Sequence, residues 1–213
     1  MTQKQIWRQT TSVLLWAGVS LFWYLMFAIV WPYTSGKTNI DFLLTKQRIV
    51  HLDHYMWAFY LHIFSSLWIL AAGLTQFSST ILRRKPALHR WIGRIYVAII
   101  LFVSAPAALV MSYYANGGWW SKASFAVLSV CWWWTTWRGY QAIRDKKIAA
   151  HRSWLIRSYA LTLSAITLRM MQFGFATFTQ LDPEFTYRLI AWPSWLLNLL
   201  LAEIIIRRKT YMG

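Results

Sequence analysis

The chain has 213 residues, of which 58% are hydrophobic and 13% charged, and its 22 Lys and Arg residues outnumber 6 Asp and Glu residues to give a formal net charge of +16. A nucleic-acid-binding protein would carry such charge on a polar surface, whereas these basic residues lie between long uncharged stretches rich in Trp and Phe. The same apolarity excludes a disordered chain, and the single Cys131 excludes a disulfide framework and a cysteine-based metal site. The composition predicts a polytopic protein that contacts the lipid bilayer and binds no nucleic acid.

Six predominantly apolar windows are each long enough to form a spanning helix, which needs roughly 20 such residues to cross the bilayer core. We predict spans at residues 12–33, 55–77, 91–114, 123–143, 154–178 and 187–206. The connections leave no room for a separate soluble domain, so residues 1–213 are predicted to form a single all-α transmembrane domain. Pro106 and Pro193 fall within spans, where each is expected to kink its helix and to free backbone carbonyl groups.

The distribution of basic residues predicts the orientation in the membrane, because Lys and Arg are retained on the cytoplasmic side. Of the 22 basic residues, 16 lie near the two ends of the chain or around the second and fourth connections, and five lie on the opposite side. Arg169, within the fifth window, is the remaining one. Both termini are therefore expected in the cytoplasm.

Two similar histidine-arginine sequences open the third and fifth predicted helices, at His89 and at His151. Because both helices begin on the same side of the membrane, the two imidazoles are expected at one depth, as the axial ligands of a single haem iron require. Nearby arginines are expected to bind haem propionates or another anion. These are Arg90, Arg94, Arg152 and Arg157. A second interpretation stays open, in which each His-Arg pair only anchors its helix at the membrane interface.

A second set of polar residues is expected toward the opposite face. His62 lies about two turns into the second helix. The fourth helix offers no histidine at that depth, so one haem b is expected. His62 is then either a second metal site or a histidine that is hydrogen-bonded within the bundle. His51 and His54 are expected to fold over the end of that helix. Arg169 has three open alternatives: it extends toward water, pairs with Asp53, or contacts an anionic ligand near His62.

Glu203, near the cytoplasmic end of the sixth helix, precedes Arg207 by four residues. Residues at that spacing are neighbours on a helix surface, and we therefore expect an ion pair between them.

Two family resemblances follow from these motifs. Residues 57–62 (Trp-Ala-Phe-Tyr-Leu-His) and 88–93 (Leu-His-Arg-Trp-Ile-Gly) resemble the second and third helices of cytochrome b561. That resemblance implies a four-helix core of helices 2–5, an inner haem held by His89 and His151, and an outer haem for which only His62 is matched. Residues 73–77, 89–96, 151–161 and 167–169 more closely resemble an uncharacterised bacterial six-helix membrane family, known only as a domain of unknown function. This resemblance implies the bacterial inner membrane.

Two functions remain open at this point. In the first, the chain is a b-type haem protein that carries electrons to or from a quinol or a small anionic reductant in the cytoplasm, and so acts as a membrane oxidoreductase. In the second, it is a haem-free small transporter, a lipid-binding protein or an accessory subunit, with an outer cavity lined by His62 and Arg169. A transporter this small is expected to form a homodimer, and an accessory subunit requires a partner.

Overall fold

The computed structural model describes residues 3–211, and within that range the secondary structure is helical, as predicted. Ten α-helices follow in chain order. They are α1 Gln3–Val30, α2 Asp53–Gln76, α3 Ser79–Arg84, α4 Pro86–Ile99, α5 Ala105–Tyr113, α6 Gly118–Arg144, α7 Ile148–Thr162, α8 Ser164–Phe178, α9 Pro183–Ala191 and α10 Pro193–Tyr211. Two 3₁₀ turns, Trp31–Ser35 and Asp41–Lys46, lie between α1 and α2, and a π-helical turn, Ile100–Ser104, joins α4 to α5.

Four helical stretches in residues 3–211 are long and apolar enough to cross a membrane. They are Trp16–Ser35, Asp53–Gly73, Pro86–Tyr113 and Pro183–Arg208. These correspond to the first, second, third and sixth predicted spans. The other two predicted spans are also helical, within α6 and within α7 and α8. Buried Ser and Thr side chains on these helices lower their hydropathy.

The core is a ring of four helical segments. Helix α2 packs against α4, α5 and α7, and α6 packs against α5 and α7, so the segments follow one another around the ring as α2, α4–α5, α6 and α7–α8. Helix α10 packs on the outside of α7 and α8, and α1 packs on α2. The predicted core helices 2 to 5 correspond to these four segments.

Two glycines allow neighbouring core helices to approach closely, as small residues do in membrane bundles. A Cβ atom at Gly73 would overlap the ring of Tyr159, and one at Gly139 would overlap the Leu155 side chain. The buried Tyr159 hydroxyl donates to the Leu70 carbonyl at 3.1 Å. These contacts fix the register of α2 against α7 and of α6 against α7.

Interruptions of the helices place carbonyl groups inside the bundle. Pro106 lacks an N–H, and the π-helical turn before it leaves the Leu101 carbonyl free to accept the Trp133 indole N–H at 3.1 Å. The break before Pro193 leaves the Ala191 carbonyl to two serine hydroxyls. The interruption before Pro106 thus frees a carbonyl group, as predicted.

The connections divide into two groups because helices joined by short turns run antiparallel. We call the end with residues 77–85 and 145–147 the basic end, after the arginines and lysines around it. The opposite end carries residues 31–52, 114–117 and 179–182.

Candidate functional site

The faces of α4 and α7 that carry the two predicted haem ligands point toward each other. Tyr96 follows His89 by seven residues, and Ser158 follows His151 by seven, so each pair lies on one helix face about two turns, or roughly 10 Å, apart. The buried Tyr96 hydroxyl lies 2.9 Å from the Ser158 hydroxyl. Both histidines therefore lie on facing surfaces at the basic end, where their side chains interact electrostatically.

The hydrogen bonds of the two imidazoles differ. His151 Nδ1 lies 2.8 Å from the Gly139 carbonyl oxygen, which can only accept, so this nitrogen carries a proton and Nε2 is the ring nitrogen left for a ligand. Metal-ligating histidines are held by the same kind of bond. The Nδ1 of His89 is buried without a partner among the described residues. A buried polar atom in that state is costly unless a bound group satisfies it.

The four predicted anion-binding arginines have two different environments. Arg157 makes a bidentate pair with Glu203, at 2.5 Å and 2.9 Å, and lies over the Trp154 ring. Glu203 was expected to pair with Arg207, but α10 packs on α7 and turns this carboxylate toward Arg157. The other three arginines are exposed and form no ion pair with a described side chain. They are Arg90, Arg94 and Arg152.

A closed cluster of hydroxyl groups separates the basic end from the rest of the core. Thr136 Oγ1 lies 2.7 Å from Ser158 Oγ, Tyr96 contacts both Ser158 and Thr162, and the Trp132 indole donates to Thr162 Oγ1 at 3.1 Å. All five side chains are buried. The cluster satisfies its own polar groups and holds α4, α6 and α7 together.

Beyond this cluster lies a cavity of about 260 Å³, lined by residues of α1, α2, α5 to α10 and the Asp41–Lys46 turn. His62 and Arg169 both line it. His62 Nδ1 lies 3.1 Å from the Ser104 carbonyl oxygen, and the imidazole makes an edge contact with the Trp132 ring at 6.3 Å. Helix α6 thus presents an indole to His62 where a second haem ligand would be needed. His62 is bonded within the bundle, which is one of its two predicted alternatives.

Arg169 makes no ion pair with any carboxylate in the described part of the chain. Its guanidinium donates to Gln172 Oε1 at 3.3 Å, and Asp53, the predicted partner, lies exposed at the start of α2. Arg169 lines the cavity that also contains His62, and contact with a ligand near His62 stays a prediction.

Two predicted site residues lie outside this cavity. His54 is exposed, and its Nε2 is 2.6 Å from the Tyr114 hydroxyl. His51 is exposed in the segment before α2. Both lie at the opposite end, close to the start of α2 as expected, but neither side chain lines the cavity.

Lys46 is a cavity residue that was not predicted from the sequence; it is only 5% exposed and lines the cavity. Its Nζ donates to the Tyr114 carbonyl and to Asn116 Oδ1, each at 2.5 Å. Burial away from water, with Lys122 nearby, lowers the pKa of Lys46 to about 8. The only local signal was its place near Phe42 and Leu43, which pack the 31–52 segment onto the bundle.

Two hydroxyl groups in the cavity wall were missed as well. Tyr55 Oη and Ser66 Oγ are buried and have no hydrogen-bond partner among the described residues. Tyrosine and serine are common in apolar helices, so no sequence pattern set these two apart.

The described residues contain no group of three or more His, Cys, Asp or Glu side chains arranged to hold a metal ion. Two facing histidines are a smaller set and suit an iron whose other four ligands come from a porphyrin.

Comparison with known proteins identifies the family. Residues 59–206 match the model of a family described as Predicted membrane protein (DUF2306). No curated protein and no solved structure matches the chain, and the resemblance to cytochrome b561 therefore stays a prediction. The matched range runs from α2 into α10 and covers more than half of the chain. The chain therefore belongs to the DUF2306 family of predicted membrane proteins.

Proposed function

We propose that this protein is a six-span inner-membrane protein that binds one b-type haem between His89 and His151 and exchanges electrons with a quinol or a small anionic reductant. The observation that carries the proposal is the facing of two histidine-bearing helix surfaces, joined by the Tyr96–Ser158 hydrogen bond. The expected orientation places both termini and the basic end in the cytoplasm.

The two imidazoles fit the requirements of axial ligands. His151 is oriented through Nδ1 by the Gly139 carbonyl and has Nε2 available for iron. His89 has no such bond among the described residues, and its buried Nδ1 is the ring nitrogen that it would offer. A haem held there would supply one-electron chemistry, with its reduction potential set by ligand type and nearby charges. The Trp132 ring contacts His62 on the side where a second histidine ligand would be needed, which favours one haem over two.

The exposed arginines at this end favour binding of anions. Arg90, Arg94 and Arg152 lie beside the two histidines and are not engaged in ion pairs with described residues, so their guanidinium groups are available to haem propionates or to an anionic reductant. Arg157 is committed to Glu203 and has a structural role in joining α7 to α10.

Helix length supports crossing of the membrane by the two less apolar segments. Helix α6 has 27 residues, or about 40 Å at 1.5 Å per residue, which exceeds the hydrocarbon thickness of about 30 Å. Its buried Ser and Thr side chains face the core, where they do not meet lipid. Helices α7 and α8 together have a similar length.

The test is a reduced-minus-oxidised absorption spectrum with a haem assay per polypeptide, on protein purified in detergent after expression with haem supplied. We expect a b-type spectrum with one haem per chain. His89→Ala and His151→Ala should each abolish it, and His54→Ala, an exposed histidine at the opposite end, should leave it unchanged. Colourless wild-type protein, or an unchanged spectrum in both histidine variants, would contradict the proposal.

A haem-free function is the second candidate, and the cavity lined by His62 and Arg169 favours it. In this case the chain is a small transporter, a lipid-binding protein or an accessory subunit of a larger complex. Colour separates the two candidates at once, because only the first predicts a chromophore in the purified protein.

A further inference from the structure

The cavity wall carries positive charge that the protein does not neutralise. Lys46 and Arg169 both line it, and no Asp or Glu is among its described lining residues. The oxygens that contact these two cations belong to a carbonyl and two side-chain amides, all of them neutral. A cation held in or beside the bilayer core without a counter-ion is costly, and such residues usually face a ligand or a water-filled space.

Hydrogen-bond donors in the same wall are also unused. Tyr55 is 1% exposed, and its hydroxyl has no hydrogen-bond partner among the described residues. The Ser66 hydroxyl is also buried without such a partner. Each can donate to an oxygen of a bound molecule. Tyr55 lies in the first turn of α2, beside the segment that carries Lys46, so this end of the wall offers two cations and one free hydroxyl. These groups favour a ligand with oxygen acceptors and negative charge. Ser66 lies about 16 Å farther along α2.

The cavity is long and largely apolar. It follows α2 from Tyr55 to Leu70, a distance of about 22 Å along the helix axis. An elongated lining of this length, with a volume of about 260 Å³, suits a linear chain better than a fused ring system. Most of the remaining wall is aliphatic or aromatic, as at Phe59, Leu67 and Leu128. Apolar surface of this kind stabilises an alkyl tail by the hydrophobic effect.

We propose that this cavity binds a single-chain amphipathic anion, with its charged head between Lys46 and Arg169 and its tail along α2 toward Leu70. The head group is a carboxylate or a phosphate, since both accept charge-assisted hydrogen bonds from guanidinium and ammonium groups. The site lies on the far side of the hydroxyl cluster from His89 and His151, and binding here does not depend on haem.

A photoreactive fatty acid with a diazirine at the end of its chain tests this assignment on the detergent-purified full chain. We expect it to label α2 or α6 residues that line the inner part of the cavity, identified by peptide mapping. Unlabelled dodecanoate and dodecyl phosphate serve as competitors, and whichever competes more strongly identifies the head group. The methyl ester of dodecanoate has the same tail without the charge and should compete at least about tenfold less well, since a hydrogen bond to a charged group contributes about 1.5–3 kcal/mol.

Variants separate the head-group contacts from general stability. Arg169→Gln should reduce specific labelling about tenfold or more, whereas Arg169→Lys, which keeps the charge, should retain most of it. Arg188→Gln is the matched control, because Arg188 is exposed near the same end and pairs with Glu184.

Two results would overturn the proposal without reliance on any variant. One is equal competition by dodecanoate, dodecyl phosphate and the methyl ester on the wild-type chain. The other is labelling confined to residues on the outside of the bundle, which would show that the probe only partitions into the detergent or lipid around the protein.

Discussion

Burial of the Lys46 ammonium group makes folding sensitive to alkaline pH. Desolvation, with repulsion from Lys122, lowers the pKa of Lys46 from its ordinary value of 10.5 to about 8. Below about pH 8 this lysine is protonated in both the folded and unfolded chain. Between about pH 8 and 10.5 the folded chain has lost this proton and the unfolded chain retains it. The free energy of unfolding therefore gains a contribution that increases with pH across this window.

A pair of lysine variants isolates that contribution in thermal unfolding of the purified protein. Relative to Lys46→Met, the wild-type Tm is expected to rise as the pH increases above about 8. Lys37→Met, a change at an exposed residue of the same segment, should keep the wild-type pH dependence. Parallel curves for the wild type and Lys46→Met would show that the folded pKa of Lys46 is not lowered.

At the scale of the helix, the π-helical turn before Pro106 is hydrogen-bonded to a side chain of α6. The Leu101 carbonyl has no N–H from residue 106 and accepts the Trp133 indole N–H instead. Trp133→Phe should therefore lower the free energy of unfolding by about 1 kcal/mol. In the Pro106→Ala background the same change should cost less, because an N–H at residue 106 can then satisfy the Leu101 carbonyl.

A double-mutant cycle measured by denaturant unfolding in detergent gives the coupling between these two residues. Trp134→Phe is the matched control, since Trp134 is 49% exposed and is expected to show no coupling to Pro106. An equal cost of Trp133→Phe in both backgrounds would mean that the π-helical turn does not depend on this indole.

For the molecule as a whole, the number of membrane crossings is open to direct measurement. Cys131 is the only cysteine, so a Cys131→Ser chain can carry one new cysteine at a time. With six crossings, Gly36→Cys, Asn116→Cys and Thr179→Cys should react with a membrane-impermeant maleimide from one side, and Lys85→Cys and Asp145→Cys only from the other. Reaction of Asn116→Cys and Asp145→Cys from the same side would show that α6 does not cross.

Much of this architecture could be predicted from the chain, for identifiable reasons. Apolar windows of about 20 residues predict helices almost without reference to partners. Because two such windows begin on the same side of the membrane, His89 and His151 could be expected at one end of the bundle. Lys46 could not be found in this way, because its burial depends on Tyr114 and Asn116, which lie 68 and 70 residues away. The pairing of Glu203 with Arg157 rather than Arg207 likewise depends on how α10 is rotated against α7.

The position of α1 affects how a membrane-dissolved molecule would reach the cavity. This helix is scarcely buried, yet Met26, Ile29 and Val30 form part of the cavity wall, and the Trp23 indole donates to the Leu67 carbonyl at 3.1 Å. A small outward displacement of one peripheral helix would open the cavity sideways into the acyl chains. For a hydrophobic solute, the bilayer would then be the reservoir, and occupancy would follow its membrane concentration rather than its aqueous solubility.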